Sequence, residues 1–575
     1  MKKPPRIHPT SICLTALVIF GASCGSSGGG LADGVESPIA SSHTIVSNAA
    51  VYTVDAGRSW AEAFAYDKQG RIFAVGTEEE VRAAADDDAT ILDAGGLMVL
   101  PGFQDAHVHV PEAGINASLC FMSSGETLDT YERLARQCAE EQPDDEWVRA
   151  AGPSLYDLRN SSENPLDVLD RAIPDRPAII LDDLGHAVWT NSLGLAAAGI
   201  DDDSDDPQGG VFHRDAVGRL TGLLLEDAQQ RLRNAAAASD DVVYSGLLDA
   251  LDELARNGVT TVSDAGGYWA QGHPAAWERA LREDSLVVRA ANTLYLYPDL
   301  DPDTQLTEFE RRFSNDSDLL RFDTAKVYVD GILDLGTAFL LEPYDTAPDE
   351  NYPSGFTYFE LDQLNSYVSQ LHEIGYRINF HAIGDAGVRA ALDAVAAIED
   401  SADSVADRRH RLTHVYMVEE SDTARFAELG VVADYQQSAD AIDPLYHEDL
   451  TQIIGNRAWD LLPTRRVLDA SATVTLSSDW DAGPLPPLGT IQRSLTREGN
   501  AVPNLETALE LATINTAYAL GHDDVTGSIE VGKFADFVIL DQDIFEVEVD
   551  KIDETEVLLT AVAGRVVYDA GSLSG

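Results

Sequence analysis

The sequence predicts an α/β fold in which a barrel of parallel strands adjoins a small β-domain built from both chain ends. Short apolar runs separated by turns fill residues 43–101 and recur near the end of the chain, in 537–540, 557–562 and 565–568. Between them, apolar strands alternate with Ala- and Leu-rich helices, the pattern of βα units in a parallel sheet. Most of these strands end on a polar or ionisable residue, as an α/β barrel requires for chemistry at the carboxyl ends of its strands.

The first 42 residues are predicted to direct the chain rather than to fold with it. A basic start, an apolar stretch from Ile12 to Phe20 and small residues before Cys24 predict a signal peptide over residues 1–23. Small residues before a cysteine resemble the lipobox of bacterial lipoproteins, so we expect lipid on Cys24; an ordinary secretory signal is the alternative. Residues 24–42 are rich in Gly and Ser and predict a flexible tether. We expect an exported protein, held on a membrane only by its lipid and facing the periplasm or the cell exterior.

The rest of the chain divides into three segments. Residues 43–101 and 523–575 are predicted to form the two parts of the small β-domain, and residues 102–522 form the barrel, with an inserted segment at about 115–215. Cys120 and Cys138 lie in this insertion. They could pair in an oxidising compartment, and two free buried thiols are the alternative.

The chain is strongly acidic. Its formal charge is −59 at pH 7 and its sequence pI is near 4.2. Such a charge repels nucleic acid and anionic lipid headgroups, so we expect no nucleic-acid partner. A saline habitat is one explanation and predicts stability that depends on salt. The oligomeric state stays open.

His107 and His109 are one residue apart at the end of an apolar strand. Side chains at positions i and i+2 of a strand project to the same face, so these two imidazoles can hold one divalent cation. Later strands carry further candidates near their carboxyl ends: Lys326, His381, His414 and Asp479. One such histidine alone is more often a core residue, but the combination indicates a metal site.

Several short motifs follow one another along the chain. They are residues 101–109 (PGFQDAHVH), 185–192 (GHAVWTNS), 326–331 (KVYVDG), 381–385 (HAIGD), 414 (H), 478–480 (SDW) and 527–538 (GSIEVGKFADFV). With these motifs in this order, the sequence resembles the amidohydrolase superfamily, in particular amidohydrolase family 3, the branch that includes enzymes similar to N-substituted formamide deformylase. The resemblance runs from about residue 43 to the end of the chain.

The resemblance implies a distorted (β/α)8 TIM barrel with a small β-sandwich domain. It also implies one or two divalent ions, zinc being the expected one, and the implied ligands are His107, His109, His381, His414 and Asp479. Lys326 stands where related binuclear members carry a carboxylated lysine. An unmodified Lys326 that neutralises Asp330 or binds substrate is the alternative.

The implied activity is metal-dependent hydrolysis of the carbon–nitrogen bond of an amide-like small molecule, such as an N-formyl or N-acyl amine. Bound zinc lowers the pKa of water from 15.7 to roughly 7, so hydroxide is available at neutral pH. Asp479 is the predicted general base and acid. An ester, lactone or cyclic amide is the alternative substrate. A catalytically inactive ligand-binding lipoprotein is the alternative of another class.

Six further residues are predicted to contact substrate; for His186, Trp189 and Asn191, local packing and turn formation are the alternative. Three lie in the inserted segment, which the resemblance brings near the barrel mouth, and three lie at or after later strands. They are His186, Trp189, Asn191, Asp330, Gln436 and Arg457.

Overall fold

The computed structural model describes residues 42–399, 402–438 and 440–571. The expected signal peptide, Cys24 and all but the last residue of the tether therefore lie outside the described residues. Within the described ranges, every helix is too short or too polar to cross a membrane.

The strands of the described residues form four sheets. Those before the barrel are β1 (His43–Ser47), β2 (Ala50–Tyr52), β3 (Trp60–Ala61), β4 (Ala63–Asp67), β5 (Ile72–Gly76), β6 (Thr90–Asp93) and β7 (Met98–Pro101). The first barrel strand is β8 (Phe103–Val108). The inserted strands are β9 (Cys120–Phe121), β10 (Val148–Ala151), β11 (Ala178–Leu181), β12 (Ala187–Thr190), β13 (Gly210–Arg214) and β14 (Leu220–Glu226). The other barrel strands are β15 (Val259–Asp264), β16 (Arg289–Tyr295), β17 (Leu320–Tyr328), β18 (Arg377–Ala382), β19 (Arg411–His414), β20 (Val432–Gln436) and β21 (Val474–Ser477). The last strands are β22 (Phe537–Leu540), β23 (Val557–Val562) and β24 (Arg565–Asp569).

The α-helices lie mostly between these strands. The first ten are α1 (Glu78–Ala84), α2 (Val110–Asn116), α3 (Leu128–Glu141), α4 (Leu155–Arg159), α5 (Pro165–Ala172), α6 (Ser192–Ala197), α7 (Ala228–Ala235), α8 (Asp240–Arg256), α9 (His273–Arg282) and α10 (Pro302–Arg312). The others are α11 (Leu361–Ile374), α12 (Asp385–Ala396), α13 (Ala402–Arg408), α14 (Glu420–Thr423), α15 (Arg425–Leu429), α16 (Pro444–Ile454), α17 (Thr464–Asp469), α18 (Pro487–Thr496), α19 (Leu505–Leu511) and α20 (Ile514–Leu520).

Eight parallel strands, β8 and β15 to β21, form an almost closed barrel and pair in chain order. At the seam between β21 and β8, the Asp479 N–H donates to the His107 carbonyl (2.8 Å) and the His109 N–H donates to the Trp480 carbonyl (2.6 Å). Both faces of the strands are buried, and their apolar residues are interspersed with buried polar ones such as Thr261, Asn379 and Asp434. The fold class predicted from the sequence is confirmed.

The helices around the barrel bury one apolar stripe each, as α8 illustrates. The Ser239 side chain accepts a hydrogen bond from the N–H of Val242 and so caps the first turn of α8. Leu247, Leu251 and Leu254 follow at spacings of four and three residues and are buried in the same core as the barrel strands.

Strands from both chain ends build the small β-sandwich. One sheet has the order β5-β4-β1-β6, and the other has the order β24-β23-β22-β7-β2-β3. Phe64 and Phe537 meet edge to face between the sheets, with ring centroids 5.2 Å apart. Arg289, at the start of β16, donates two hydrogen bonds to Asp536, of 2.7 and 3.1 Å, and this buried ion pair connects the sandwich to the barrel.

The inserted segment forms a six-stranded mixed sheet of its own, in the order β13-β14-β12-β11-β10-β9. This sheet continues to Glu226, past the boundary near residue 215 that we expected. Cys120 and Cys138 form a disulfide that joins β9 to α3. The structure thus pairs the two thiols whose state the sequence left open.

Candidate metal centre

Four barrel strands bring chemically active side chains to one opening of the barrel. β8 carries His107 and leads to His109, β18 carries His381, β19 ends at His414, and β21 leads to Asp479. His414 and Asp479 have φ angles of 74° and 56°. Positive φ is uncommon for residues other than glycine and often occurs at functional sites. Side chains far apart in the sequence thus surround one point.

The donor atoms of three of these side chains lie within reach of a single ion. One ligand atom each of His107, His109 and Asp479 lies within 4.8 Å of the other two. Asp479 Oδ1 is 3.2 Å from His107 Nε2 and 3.3 Å from His109 Nε2. The His414 Nδ1 atom is 3.9 Å from Asp479 Oδ2, and the His414 and His381 ring centroids are 4.5 Å apart. The structure therefore brings together all five side chains that the resemblance implied as ligands.

Burial keeps most of these groups in the forms that bind a cation. It lowers the pKa of His107 and of His381 well below 6.5 and that of His414 to about 3, so these imidazoles are neutral. Burial alone would raise the pKa of Asp479, but the neighbouring imidazoles of His107 and His109 hold it well below 3.8. Neutral imidazoles and an ionised carboxylate are metal-binding forms.

Glu112 holds the outer nitrogen of His109. Its Oε2 is 2.9 Å from His109 Nδ1, and its Oε1 accepts a 2.8 Å hydrogen bond from Arg233. Burial would lower the pKa of His109, but the bonds to Asp479 and Glu112 raise it to about 10, so a cation at Nε2 would displace a proton. A carboxylate in this place orients the ring of a metal-ligating histidine. We did not predict Glu112, although its position three residues after His109 in α2 was a usable signal.

Lys326 lies in β17 beside the first predicted ligand. Its buried Nζ is 3.3 Å from His107 Nε2 and 4.8 Å from the ring centroid of Tyr328. Burial lowers the pKa of Lys326 to about 7, because an ammonium ion loses its hydration in the barrel interior. An amine that is partly neutral at pH 7 therefore adjoins the cluster.

A cavity of about 500 Å³ opens above the cluster, a size that admits a small molecule. The barrel and the insertion both contribute to its walls. The large side chains at its walls include Tyr268, Tyr328 and Trp480 from the barrel, and Phe121, Asp182, Leu184 and His186 from the insertion. Except for His186, we did not predict that these residues line a cavity. Tyr328 and Trp480 lie within the motifs at residues 326–331 and 478–480, whereas the others lie outside every motif.

His186 is the one predicted substrate residue that lines this cavity. Its ring centroid is 5.1 Å from that of His381, and its Nδ1 is 2.7 Å from Glu226 Oε2. Burial opposes a proton on His186, but the Glu226 carboxylate raises the pKa of His186 above 6.5. A ring with hydrogen-bonding capacity therefore faces the cavity.

The structure does not bring Trp189 or Asn191 to the cavity. Trp189 is buried in the core of the insertion, where its Nε1 donates to the Pro165 carbonyl (3.2 Å). The Asn191 side chain caps α6 by accepting a 2.9 Å hydrogen bond from the Gly194 N–H. These two residues have the packing and turn roles that were the alternative.

Three further predicted contact residues are likewise engaged outside the cavity. Asp330 accepts hydrogen bonds from three backbone N–H groups, those of Phe339, Ile383 and Gly384, rather than pairing with Lys326. Gln436 donates to Asp434 (2.9 Å) and to Ser477 (2.6 Å) inside the barrel. Arg457 donates to the carbonyls of Glu342 and Pro343, both at 2.7 Å. Position at a strand end was too weak a signal, because it does not show which groups already satisfy a side chain.

Comparison with known proteins decides the family. A model described as the amidohydrolase family matches residues 90–568. The chain belongs to the amidohydrolase family. It is thus a hydrolase that acts on carbon–nitrogen bonds, and the family resemblance seen in the sequence is confirmed. This amidohydrolase is 29% identical to N-substituted formamide deformylase of Arthrobacter pascens, over 91% of this chain and 98% of that protein. It is 26% identical to the protein LONG AFTER FAR-RED 3 of Arabidopsis thaliana, over 91% of each chain.

Solved structures share the fold of this amidohydrolase. An uncharacterized metal-dependent hydrolase from Pyrococcus horikoshii superposes with a TM-score of 0.70 at 20% identity, covering 88% of this chain and 99% of that one. A zinc-bound adenosine deaminase from Xanthomonas campestris gives a TM-score of 0.54 at 14% identity, covering 92% and 94%. At these identities the likeness concerns the fold. The cluster of His107, His109 and Asp479 supplies this chain's own donors for a divalent metal ion.

Proposed function

We propose that this amidohydrolase removes a formyl or other small acyl group from an N-substituted amine. The observation that carries the proposal is the convergence of His107, His109 and Asp479 within 4.8 Å at the floor of a small-molecule cavity. The likeness to N-substituted formamide deformylase over most of both chains supports an N-acyl amine rather than an ester as the substrate.

The donor set fits a divalent cation, for which we propose zinc. His381 Nδ1 is buried without a hydrogen-bond partner among the described residues, as expected of a nitrogen reserved for another ligand. His107, His109 and Asp479 would hold the ion, with His381 and His414 beside them. Such an ion polarises a scissile carbonyl and lowers the pKa of water.

Asp479 is the residue we propose to move the proton. It is ionised, it lines the cavity, and its carboxylate is held by the two imidazoles of the His-x-His pair. It would accept the proton of the attacking water and return it to the departing nitrogen, so that the amine leaves neutral.

We propose further that Lys326 is carboxylated and provides for a second ion. A carbamate forms when a neutral amine adds carbon dioxide and loses a proton, and the depressed pKa of Lys326 makes the neutral amine available near pH 7. Mass spectrometry or electron density of the metal-loaded protein tests this modification. An unmodified lysine in protein that contains two ions per chain would exclude the carboxylation.

The test of the proposed function is metal quantification followed by a hydrolysis screen. We expect bound zinc and turnover of N-butylformamide or N-butylacetamide, with loss of both in His107→Ala. A matched control is His213→Gln, which changes a half-buried histidine bonded to Thr221. Turnover of butyl acetate, a lactone or hydantoin alone would favour the alternative substrates. Purified protein that contains no divalent ion and is not activated by added zinc would favour the inactive binding lipoprotein.

We also propose that the chain is exported and lipidated at Cys24. The basic start at Lys2, Lys3 and Arg6 and the small residues before Cys24 support this, and a disulfide at Cys120 suits an oxidising compartment. Cell fractionation of Cys24→Ser tests it. We expect the variant to leave the membrane fraction, and retention there would refute the lipid anchor.

A further inference from the structure

Glu226 is a fully buried carboxylate that the proposed chemistry does not use. It ends β14, the last strand of the insertion, with a φ of 55°. A non-glycine residue at positive φ is strained and persists where surrounding contacts require it. Those contacts show what Glu226 does.

Two hydroxyl groups from the barrel fix the orientation of this carboxylate. Tyr358 donates a 2.6 Å hydrogen bond to Oε2, and Thr337 donates to Oε1. Both residues lie in the long segment between β17 and α11. A Cβ atom at Gly331, in the same segment, would lie 2.3 Å from Glu226 Oε1, so glycine is required for the carboxylate to reach this place.

The same carboxylate also holds His186. Its Oε2 is 2.7 Å from His186 Nδ1, and the Glu226 N–H donates to the His186 carbonyl (2.8 Å). Because Glu226 engages Nδ1, the atom left for a bound molecule is Nε2. The ring lies beside His381, at a centroid distance of 5.1 Å, and lines the cavity.

We propose that Glu226 is a positioning residue, which fixes the ring of His186 so that its Nε2 forms a hydrogen bond with the amide group of the substrate. The inference rests on the proposed function. It adds a carboxylate on the outer nitrogen of a cavity imidazole, the arrangement that Glu112 and His109 show at the metal ligands. The barrel thereby sets the position of a substrate-binding group that the insertion carries.

The test is a double-mutant cycle of Glu226→Gln and His186→Ala in the zinc-loaded enzyme, with N-butylformamide as substrate. Glu226→Gln removes the charged partner of His186 Nδ1, so the ring is held less firmly for its hydrogen bond to the substrate. We expect the variant to raise KM about tenfold, with kcat changed much less. We expect the double variant to match His186→Ala, since Glu226 acts through His186. An unchanged KM in Glu226→Gln, or additive effects, would overturn the inference.

Two controls separate positioning from structural support. Asp422→Asn removes another buried carboxylate, which binds Arg389 and Arg425 away from the cavity, and we expect it to lower Tm without raising KM. If Glu226→Gln does not fold, Tyr358→Phe removes one hydroxyl that holds the carboxylate. We expect it to raise KM a few-fold, and an unchanged KM would count against the inference.

One readout does not depend on turnover. In crystals of Glu226→Gln we expect the His186 ring to leave its position beside His381, and an unmoved ring would refute the positioning role. Absence of all hydrolysis in the wild-type protein would refute the proposed function instead, and the ring position would still decide about Glu226.

Discussion

At the scale of single residues, burial and pairing determine which groups in the barrel carry charge. Burial leaves His107, His381 and His414 neutral, whereas Asp479 stays ionised because two imidazoles face its carboxylate. The His-x-His spacing predicted a shared face from sequence. Which nitrogen faces inward depends on partners such as Glu112 and Asp479, and these come from the folded structure.

Asp479→Asn tests the proton-transfer role. An amide cannot accept the proton of the attacking water, so we expect kcat to fall by about two to four orders of magnitude. Asparagine keeps an amide oxygen in place of the carboxylate, and His107 and His109 remain, so we expect zinc to be kept but bound more weakly. Steady-state kinetics and metal analysis of the same preparation check both expectations, and a variant with wild-type rates would remove Asp479 from the mechanism.

Asp227→Asn tests the energetic cost of a buried acid. Burial raises the pKa of Asp227 from 3.8 to about 7, and its Oδ1 accepts a hydrogen bond from Tyr295. Between those pH values the folded state holds a proton that the unfolded state has lost, so this group's contribution to stability falls as pH rises from 4 to 7 and is constant above. An asparagine side chain does not titrate, so the variant does not lose this stability as the pH rises. We expect its free energy of unfolding, relative to wild type, to increase over this range by up to about 4 kcal/mol.

Thermal or urea unfolding at pH 4.5 and pH 8 measures this difference. Asp303→Asn, at an exposed position on α10, is the control, and we expect its difference from wild type to vary less with pH. A difference for Asp227→Asn that does not change with pH would contradict a raised pKa.

At the scale of elements, most barrel strands were predictable because each is rich in apolar residues and ends on or next to a polar residue; β16, which ends at Tyr295, lacks this signal. The apolar spacing of helix α8 is visible in the sequence in the same way. The arrangement of the strands in the insertion could not be predicted. Its sheet places β14 beside β12, with β13 at the edge beyond β14, and no sequence pattern indicates that Glu226 lies next to His186. Long-range pairing of this kind depends on tertiary packing, which local patterns do not encode.

The disulfide of the insertion yields a prediction for this element. It closes a loop over a sequence separation of 18, for which the chain-entropy model gives about 3 kcal/mol of stabilisation. We expect the double variant Cys120→Ser/Cys138→Ser to have a lower Tm than the oxidised wild type. Reduced wild type should match the variant. Thiol titration of the denatured, unreduced Cys13→Ser/Cys24→Ser variant counts only Cys120 and Cys138, and two free thiols would contradict the pairing.

At the scale of the whole molecule, the surface charge affects stability. With 98 acidic and 39 basic residues, the chain repels itself in dilute buffer. The Debye length, over which salt screens a charge, falls from about 10 Å at 0.1 M salt to about 3 Å at 1 M. We expect Tm to rise over that range, as followed by calorimetry. A Tm and an activity that do not depend on salt would reject the saline-habitat explanation.

More of the overall architecture than of the cavity could be predicted from the sequence. Apolar runs at both chain ends predicted one shared domain, and the structure pairs β22 with β7 in it. The buried ion pair of Arg289 and Asp536 connects that domain to the barrel, yet neither residue stood out as a partner of the other. Cavity walls depend on loops such as those of Tyr268 and Trp480, whose positions follow from packing of the complete fold.

The central claim is that His107, His109 and Asp479 hold a divalent ion at the barrel mouth. Anomalous X-ray scattering from crystals of the zinc-loaded protein, recorded at the zinc edge, tests it most directly. The account predicts a peak bounded by the ligand atoms of these three side chains. The absence of a peak there, or zinc bound only elsewhere on the acidic surface, would contradict it.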